Sequence, residues 1–280
     1  MTTALVLGGG GLTGAAWELG ILAGLADDGV DVTDADTVIG TSAGSVVGAQ
    51  LTAGLPIEQL YEAQLARGSA EIPAKLGARF NLMTAAAMLR SPSPQRFRQR
   101  VGARALAART VSEATRHQVI VKRLPSQSWP DRRLLIVAVD AVSGEVAVFD
   151  RSTGVSLADA VAASCAVPTV WPPARIGERR FIDGGLRSWA NADLAEGADR
   201  IVVLAPMPQG AGPMRKVADQ VSALARGATV ALIIPDRKAR VAMGGNILDP
   251  SRRSASARAG RRQGGPAAPM VRSAWLGAAA

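Results

Sequence analysis

Asp36-Thr37-Val38-Ile39-Gly40-Thr41-Ser42-Ala43-Gly44-Ser45 is an apolar run that stops at a Gly-x-Ser-x-Gly pentapeptide, residues 40–44, and gives way to a helix-compatible segment at 46–51. The order reads as strand, tight turn, helix. A serine at such a turn sits on strained backbone with its hydroxyl raised above the sheet, and small residues on either side let the turn close and a substrate approach. The pentapeptide alone is also compatible with an ordinary strand-to-helix turn, since the chain holds 30 glycines in 280 residues. The surrounding sequence has to decide.

Upstream, residues 3–7 are a short apolar strand, 8–14 a glycine loop, and 15–25 carry apolar residues at helical spacing. With the strand at 38–39 this makes a β-α-β-α opening, the alternation of a mostly parallel sheet covered by helices. Downstream, 57–67 reads as a helix. Residues 68–130 read as a helical cap insertion, with helices at 83–89 and 95–108, a break at Ser91-Pro92-Ser93-Pro94, and 111–121 as either a third helix or a segment ending in a short strand. A buried strand is expected at 134–139, a hairpin partner at 146–149, and a helix at 157–163 behind Ser156 as its cap. Three prolines (Pro168, Pro172, Pro173) fix the next loop, and 180–182 is a strand ending at Asp183-Gly184-Gly185. Strands at 200–204 and 229–234 flank a helix at 214–226. The expected fold is α/β, three-layer, with a mostly parallel central sheet and helices on both faces. Residues 1–236 form one domain and 237–280 a basic extension, helical from Asp249-Pro250 to about residue 263 and mobile from Gly264.

Composition narrows the chemistry. A single cysteine, Cys165, excludes an internal disulfide framework and a cysteine zinc cluster. The formal charge is +9, yet nine of the 32 basic residues and one of the 23 acidic residues lie beyond Asp236, leaving 23 and 22 in the body. The basicity belongs to the tail, so nucleic acid is not an expected partner. The tail has two readings: a solvated extension, or a basic helix resting on anionic membrane with Trp275 and Leu276 as anchor. No apolar run reaches spanning length, and the start lacks a basic leader, so the expectation is a cytoplasmic protein, at most peripheral to the inner membrane face.

A serine hydroxyl needs a base. The only histidine, His117, lies in the polar stretch Glu113-Ala114-Thr115-Arg116-His117-Gln118. None follows it, so the chain order Ser…Asp…His cannot be assembled with Asp183. The base for Ser42 is then a carboxylate, and Asp183, ending a strand before two glycines, is the best placed, although Asp-Gly is also a common turn. The glycine loop could supply N–H donors to a developing oxyanion. Gly9-x-Gly11-x-x-Gly14 also fits a dinucleotide fingerprint, but the second strand ends in Gly-Thr-Ser rather than in an acid that could hold a ribose.

Taken together, Leu5-Val6-Leu7-Gly8-Gly9-Gly10-Gly11-Leu12-Thr13-Gly14-Ala15, Gly40-Thr41-Ser42-Ala43-Gly44 and Asp183-Gly184-Gly185 resemble the patatin-like phospholipases in order and rough spacing. So do Ala163-Ser164-Cys165-Ala166-Val167-Pro168 and Asn191-Ala192-Asp193-Leu194. The resemblance covers residues 4–236. It implies a Ser-Asp dyad with Ser42 as nucleophile and Asp183 as general base. It also implies an oxyanion hole from the N–H groups of Gly9, Gly10 and Gly11, with Gly14, Gly40, Gly44, Gly184 and Gly185 as supporting turns. Its substrates would be lipid acyl esters, with no cofactor and no metal. The family usually has Arg or Lys just before the last glycine of the loop, where this chain has Thr13. Two other classes stay open: a nucleotide- or dinucleotide-binding protein, and a catalytically quiet lipid-binding relative. Oligomeric state is not encoded in any of these motifs.

Overall fold

Strands β1 (Thr3–Leu7) and β2 (Thr37–Thr41) run parallel, with Leu5 beside Val38 and Leu7 beside Gly40. Both are apolar almost throughout because both faces of the sheet are covered. Helix α1 (Gly11–Asp27) joins them, and α2 (Ala43–Thr52) leaves β2 directly after Ser42. The computed structural model describes residues 1–66, 71–72, 74–76, 78–210 and 213–277, with 78–81 described by backbone alone.

Helix α3 (Ile57–Leu65) follows, then α4 (Ala78–Leu89), α5 (Pro94–Leu106) and α6 (Glu113–Arg123). Ser93 and Ser112 cap α5 and α6 by accepting N–H bonds from Arg96 and Thr115. Helices α4 and α5 enclose Phe97 and Val101 against Val139 and Ile182, whereas α6 packs on α7 (Leu157–Ser164). Residues 68–70, 73 and 77 of the expected cap lie outside the described residues.

Strands β3 (Arg133–Asp140), β4 (Val146–Phe149), β5 (Ala174–Ile176), β6 (Arg179–Asp183), β7 (Arg200–Leu204) and β8 (Thr229–Ile233) complete a mixed sheet, ordered β5-β6-β3-β2-β1-β7-β8 with β4 on β3. The run from β3 to β8 is parallel; β4, β5 and β6 are antiparallel. One register decides the position of the site. β2 follows β3 as far as Thr41 opposite Val137, while β6 comes from the other direction and ends at Asp183 opposite Ala138. β4 pairs with Ile136–Val139 and so occupies the other side of β3. β2 and β6 therefore meet end to end on adjacent rungs.

Alternate residues of β1 face opposite ways. Leu5 and Leu7 join Trp17, Ile21 and Val271, and Ala4 and Val6 join Ala192, Val217 and Leu224, the last two on α8 (Val217–Leu224). The three-layer α/β expectation holds. Glu18 on α1 is wholly buried, and burial pushes its carboxyl well above the usual carboxylate range.

The extension departs from expectation. It forms α9 (Arg237–Met243) and α10 (Arg253–Leu276), and the helix continues through the segment from Gly264 that was expected to be mobile. Gly264, Gly265, Pro266 and Pro269 are poor helix formers, so local propensity argues for a stop. Tertiary packing wins, because small residues let α10 lie backbone to backbone on α1. A Cβ on Gly20 would stand 2.1 Å from the Ala257 carbonyl oxygen, and one on Gly260 would stand 2.3 Å from that of Trp17. Trp17 Nε1 donates to Gln263 Oε1 at 3.0 Å, and Arg261 bridges Asp27 and Glu58 at 2.8 Å each. Trp275 is buried, which counts against the reading of the tail that makes it a membrane anchor. Among the described residues no helix is long and apolar enough to cross a membrane.

This packing makes Gly20→Ala destabilising by about 1–3 kcal/mol, the usual cost of overfilling a closed interface. A lowered urea midpoint at unchanged slope reads it. Gly227→Ala is the control, since a Cβ there meets nothing within 4 Å.

Candidate active site

Ser42 has φ 51° and ψ −115°, a positive φ that a non-glycine residue rarely adopts. Its surroundings hold it there. Its N–H donates to Ser164 Oγ at 2.8 Å, and Ser164 Oγ donates in turn to the Val137 carbonyl at 2.6 Å. The Ser42 carbonyl accepts from Ser45 Oγ at 2.6 Å and from the Cys165 thiol at 3.2 Å. The flanking glycines are forced by close approach. A Cβ on Gly40 would lie 2.5 Å from Ser45 Cα, and one on Gly44 would lie 2.1 Å from the Leu7 carbonyl oxygen.

Asp183 is the last residue of β6. Ser42 Oγ donates to Asp183 Oδ2 at 2.7 Å, and the Gly185 N–H donates to Oδ1 at 2.8 Å. Gly184 sits against Val137, where a Cβ would come within 2.3 Å of the carbonyl oxygen. Both Ser42 and Asp183 are buried. Burial pushes the Asp183 carboxyl up to about 6, opposed by the Ser42 hydroxyl, the Gly185 N–H and the charge of Arg116. The group is therefore largely ionised at neutral pH, yet more basic than an exposed aspartate.

The glycine loop runs alongside. A Cβ on Gly9 would lie 3.5 Å from Ser42 Cβ, and the Gly44 N–H donates to the Gly8 carbonyl at 3.1 Å, joining the loop to the serine turn. Gly14 closes the loop with an N–H bond to the Gly10 carbonyl at 2.8 Å. One expectation needs correction. The Gly9 N–H already donates to the Trp189 carbonyl at 2.6 Å and is not available to a ligand in this arrangement. Gly10 and Gly11, at the start of α1, donate to no described residue. Thr13 is buried, its N–H and hydroxyl both directed to the Ile247 carbonyl at 3.1 and 3.5 Å.

Ser42, Asp183 and the glycine loop thus come together from three separate parts of the chain. His117 stays apart: its Nε2 lies 3.0 Å from Asp159 Oδ1 on a half-exposed part of α6. Sequence reasoning quoted Ser164 and Asn191 within family motifs but missed their roles: Ser164 anchors the serine turn, and the Asn191 amide donates to Thr41 Oγ1 at 3.0 Å and to the Ser188 carbonyl at 2.9 Å. Asn191 itself has φ 52°, a conformation asparagine tolerates better than most residues. It missed Arg116 as well. A cavity of about 240 Å³ opens on Ser42 and is lined also by Val46, Val47, Gln50, Arg116 and Trp171. No group of side chains suited to hold a metal ion occurs among the described residues.

A family model described as patatin-like phospholipase matches residues 5–196. No curated protein sequence matches. Among solved structures, VipD from Legionella pneumophila is 12% identical with a TM-score of 0.49, over 98% of this chain and 67% of VipD. The type III effector protein ExoU is 16% identical with a TM-score of 0.44, over 96% of this chain and 53% of that one. Full-length ExoU in complex with SpcU, from Pseudomonas aeruginosa, gives 13% identity and a TM-score of 0.42, over 97% and 52%. This chain spans about half the length of the ExoU chains. With the family model matching more than half of its residues, the chain belongs to the patatin-like phospholipase family.

Proposed function

We propose that the protein is a serine-dependent lipid acyl hydrolase working through Ser42 and Asp183. The observation that carries this reading is the 2.7 Å bond from Ser42 Oγ to Asp183 Oδ2 on a strained turn facing a cavity. Ser42 Oγ attacks the ester carbonyl carbon as its proton passes to Asp183 Oδ2. The N–H groups of Gly10 and Gly11 stabilise the oxyanion, in a site where buried donors act strongly. As the tetrahedral intermediate collapses, the carbon–oxygen bond to the alcohol breaks and Asp183 returns the proton to the departing oxygen. Water then attacks the acyl-enzyme, giving its proton to Asp183, and Ser42 leaves reprotonated with release of the carboxylic acid. A carboxylate raised to about 6 suits both halves, since a base works best with its pKa near the operating pH.

The dinucleotide reading gains no support, because β2 ends at Thr41 and is followed by Ser42, with no acid there for a ribose. The buried Trp275 removes the tail's support for contact with an anionic membrane. Residues 72–112, which hold eight basic side chains and no acidic one, support it instead.

Ser42→Ala and Asp183→Asn should each lower kcat/KM on a short-chain lipid ester by at least about 100-fold while leaving the fold intact. A fluorophosphonate should label Ser42 and no other serine; full turnover by either variant, or no adduct, would sink the dyad. The kcat/KM profile should fall with one proton below a pH of about 6. Asp183 also has a stability signature. Its folded pKa lies above the unfolded value of about 3.9, so the ionised form costs stability above about pH 6 and nothing below about pH 4. Asp183→Asn should therefore be more stable than the parent by up to about 3 kcal/mol at pH 8, with the advantage gone at pH 4 in thermal melts.

A further inference from the structure

Arg116 is a buried cation of the Ser42 cavity with no hydrogen-bond or ion-pair partner among the described residues. It projects from α6, is 6% exposed, and its guanidinium carbon stands 4.1 Å from the centre of the Trp171 ring. Stacking occupies a face of the group and leaves the in-plane N–H donors to be satisfied otherwise. Nε and Nη1 are buried with no hydrogen-bond partner among the described residues. A buried donor left unmade costs on the order of 1–3 kcal/mol, more when charged. Neighbouring cations differ. Arg123 is engaged twice by Glu71, and Arg253 donates to Gln64 Oε1 at 3.2 Å and the Ala63 carbonyl at 3.0 Å. Lys122 also lines the cavity, which thereby holds four cations and one carboxylate.

We infer that Arg116 is the anion-binding residue of the substrate pocket, and that it selects lipids carrying a phosphodiester beside the scissile acyl ester over uncharged glycerides. The inference rests on the hydrolase reading for its substrate. A planar guanidinium held by an aromatic ring presents a fixed fork that suits two oxygens of a phosphate. The lipid class that pairs an acyl ester with a permanent anion a few bonds away is the glycerophospholipids. Thr13 supplies no charge at the glycine loop, so Arg116, which lines the cavity, is the buried charge offered to the anion. Desolvation lowers the Arg116 pKa to about 10, which leaves it charged at neutral pH. Its charge also acts on Asp183, so the test uses pH 8, where Asp183 is ionised with or without it.

The decisive measurement is binding to the Ser42→Ala protein, where no turnover occurs, by calorimetry at pH 8. The titrants are dihexanoyl phosphatidylglycerol below its micellar concentration, dihexanoylglycerol, and inorganic phosphate. Adding Arg116→Gln should weaken the phospholipid by about 10- to 100-fold, the range of a charge-assisted hydrogen bond, relative to its effect on dihexanoylglycerol. Should Arg116→Gln fail to fold, Arg116→Lys is read in the same way, with an expected loss of at least threefold because the charge stays and the fork goes. Equal losses for both lipids would overturn the proposal and make Arg116 a general packing or oxyanion group. Inorganic phosphate binding as tightly as the phospholipid would overturn the headgroup assignment in favour of a free-anion site. Because binding to Ser42→Ala needs no chemistry, an inert Ser42 in the parent protein leaves this result standing. Conversely, turnover without lipid discrimination overturns this proposal alone.

Discussion

Two neighbouring rungs of β3 govern the site. Val137 is the last partner of β2 and Ala138 the last partner of β6, so two strands running in opposite directions terminate against each other on one side of a third. Whatever follows β2 and whatever ends β6 must then share one small volume. The residues there are Ser42 and Asp183, and their contact at 2.7 Å is set by sheet register rather than by loop flexibility. Side chains at the junction are excluded by the same crowding. Gly44 and Gly184 are each pressed on a strand carbonyl, of Leu7 and Val137, at distances no Cβ could share. Ser164 completes the junction by taking the Ser42 N–H and giving its own proton to Val137. The strained φ of Ser42 is thus over-determined by hydrogen bonds on both sides of it, which is how such strain persists.

Charge follows from burial at that junction. A carboxylate closed in by glycine backbone and a serine hydroxyl loses solvation, and its basicity rises. The only histidine pairs with Asp159 and stands apart from Ser42, whose hydroxyl meets the Asp183 carboxylate instead. Arg116, also buried, is kept away from direct pairing with it and acts through space. Two buried opposite charges, Asp183 and Arg116, thus stand without a direct ion pair between them, an arrangement that is unfavourable for folding alone.

Much of this was legible in the sequence because local rules and tertiary demands agreed. Strands at 38–39, 134–139, 146–149 and 200–204 are runs of β-branched and aliphatic residues bounded by turns, and the structure places strands over each of them. The serine turn announced itself through glycine spacing, and the absence of a second histidine pointed to Asp183. Illegible were the features in which distant residues override local chemistry. The Glu113-to-Gln118 stretch reads as a solvated helix face, and nothing near Arg116 signals that Trp171 will cover it. The Gly9 N–H reads as a free donor until the Trp189 carbonyl reaches it from beyond β6. Helix α10 contains glycines and prolines that should end it, and only the matching glycines of α1 explain why it continues. The three-residue strand β5 is too short for any periodicity.

The α1–α10 contact has a consequence for how the chain comes off the ribosome. Helix α1 precedes α10 by more than 200 residues, and its Gly20 and Gly24 fit against Ala257, Arg261 and Gly264. Until those residues emerge, the backbone strip at Gly20 and Gly24 lacks its native cover. Contacts of such long sequence separation form late and slow a fold, because the entropy of closing the loop comes before any gain from the contact. Strand β1 has the same property, because its partner β7 follows it by about 200 residues. A nascent chain therefore carries this uncovered α1 face until residue 264 has been made, and exposed surface of that kind is what chaperones bind.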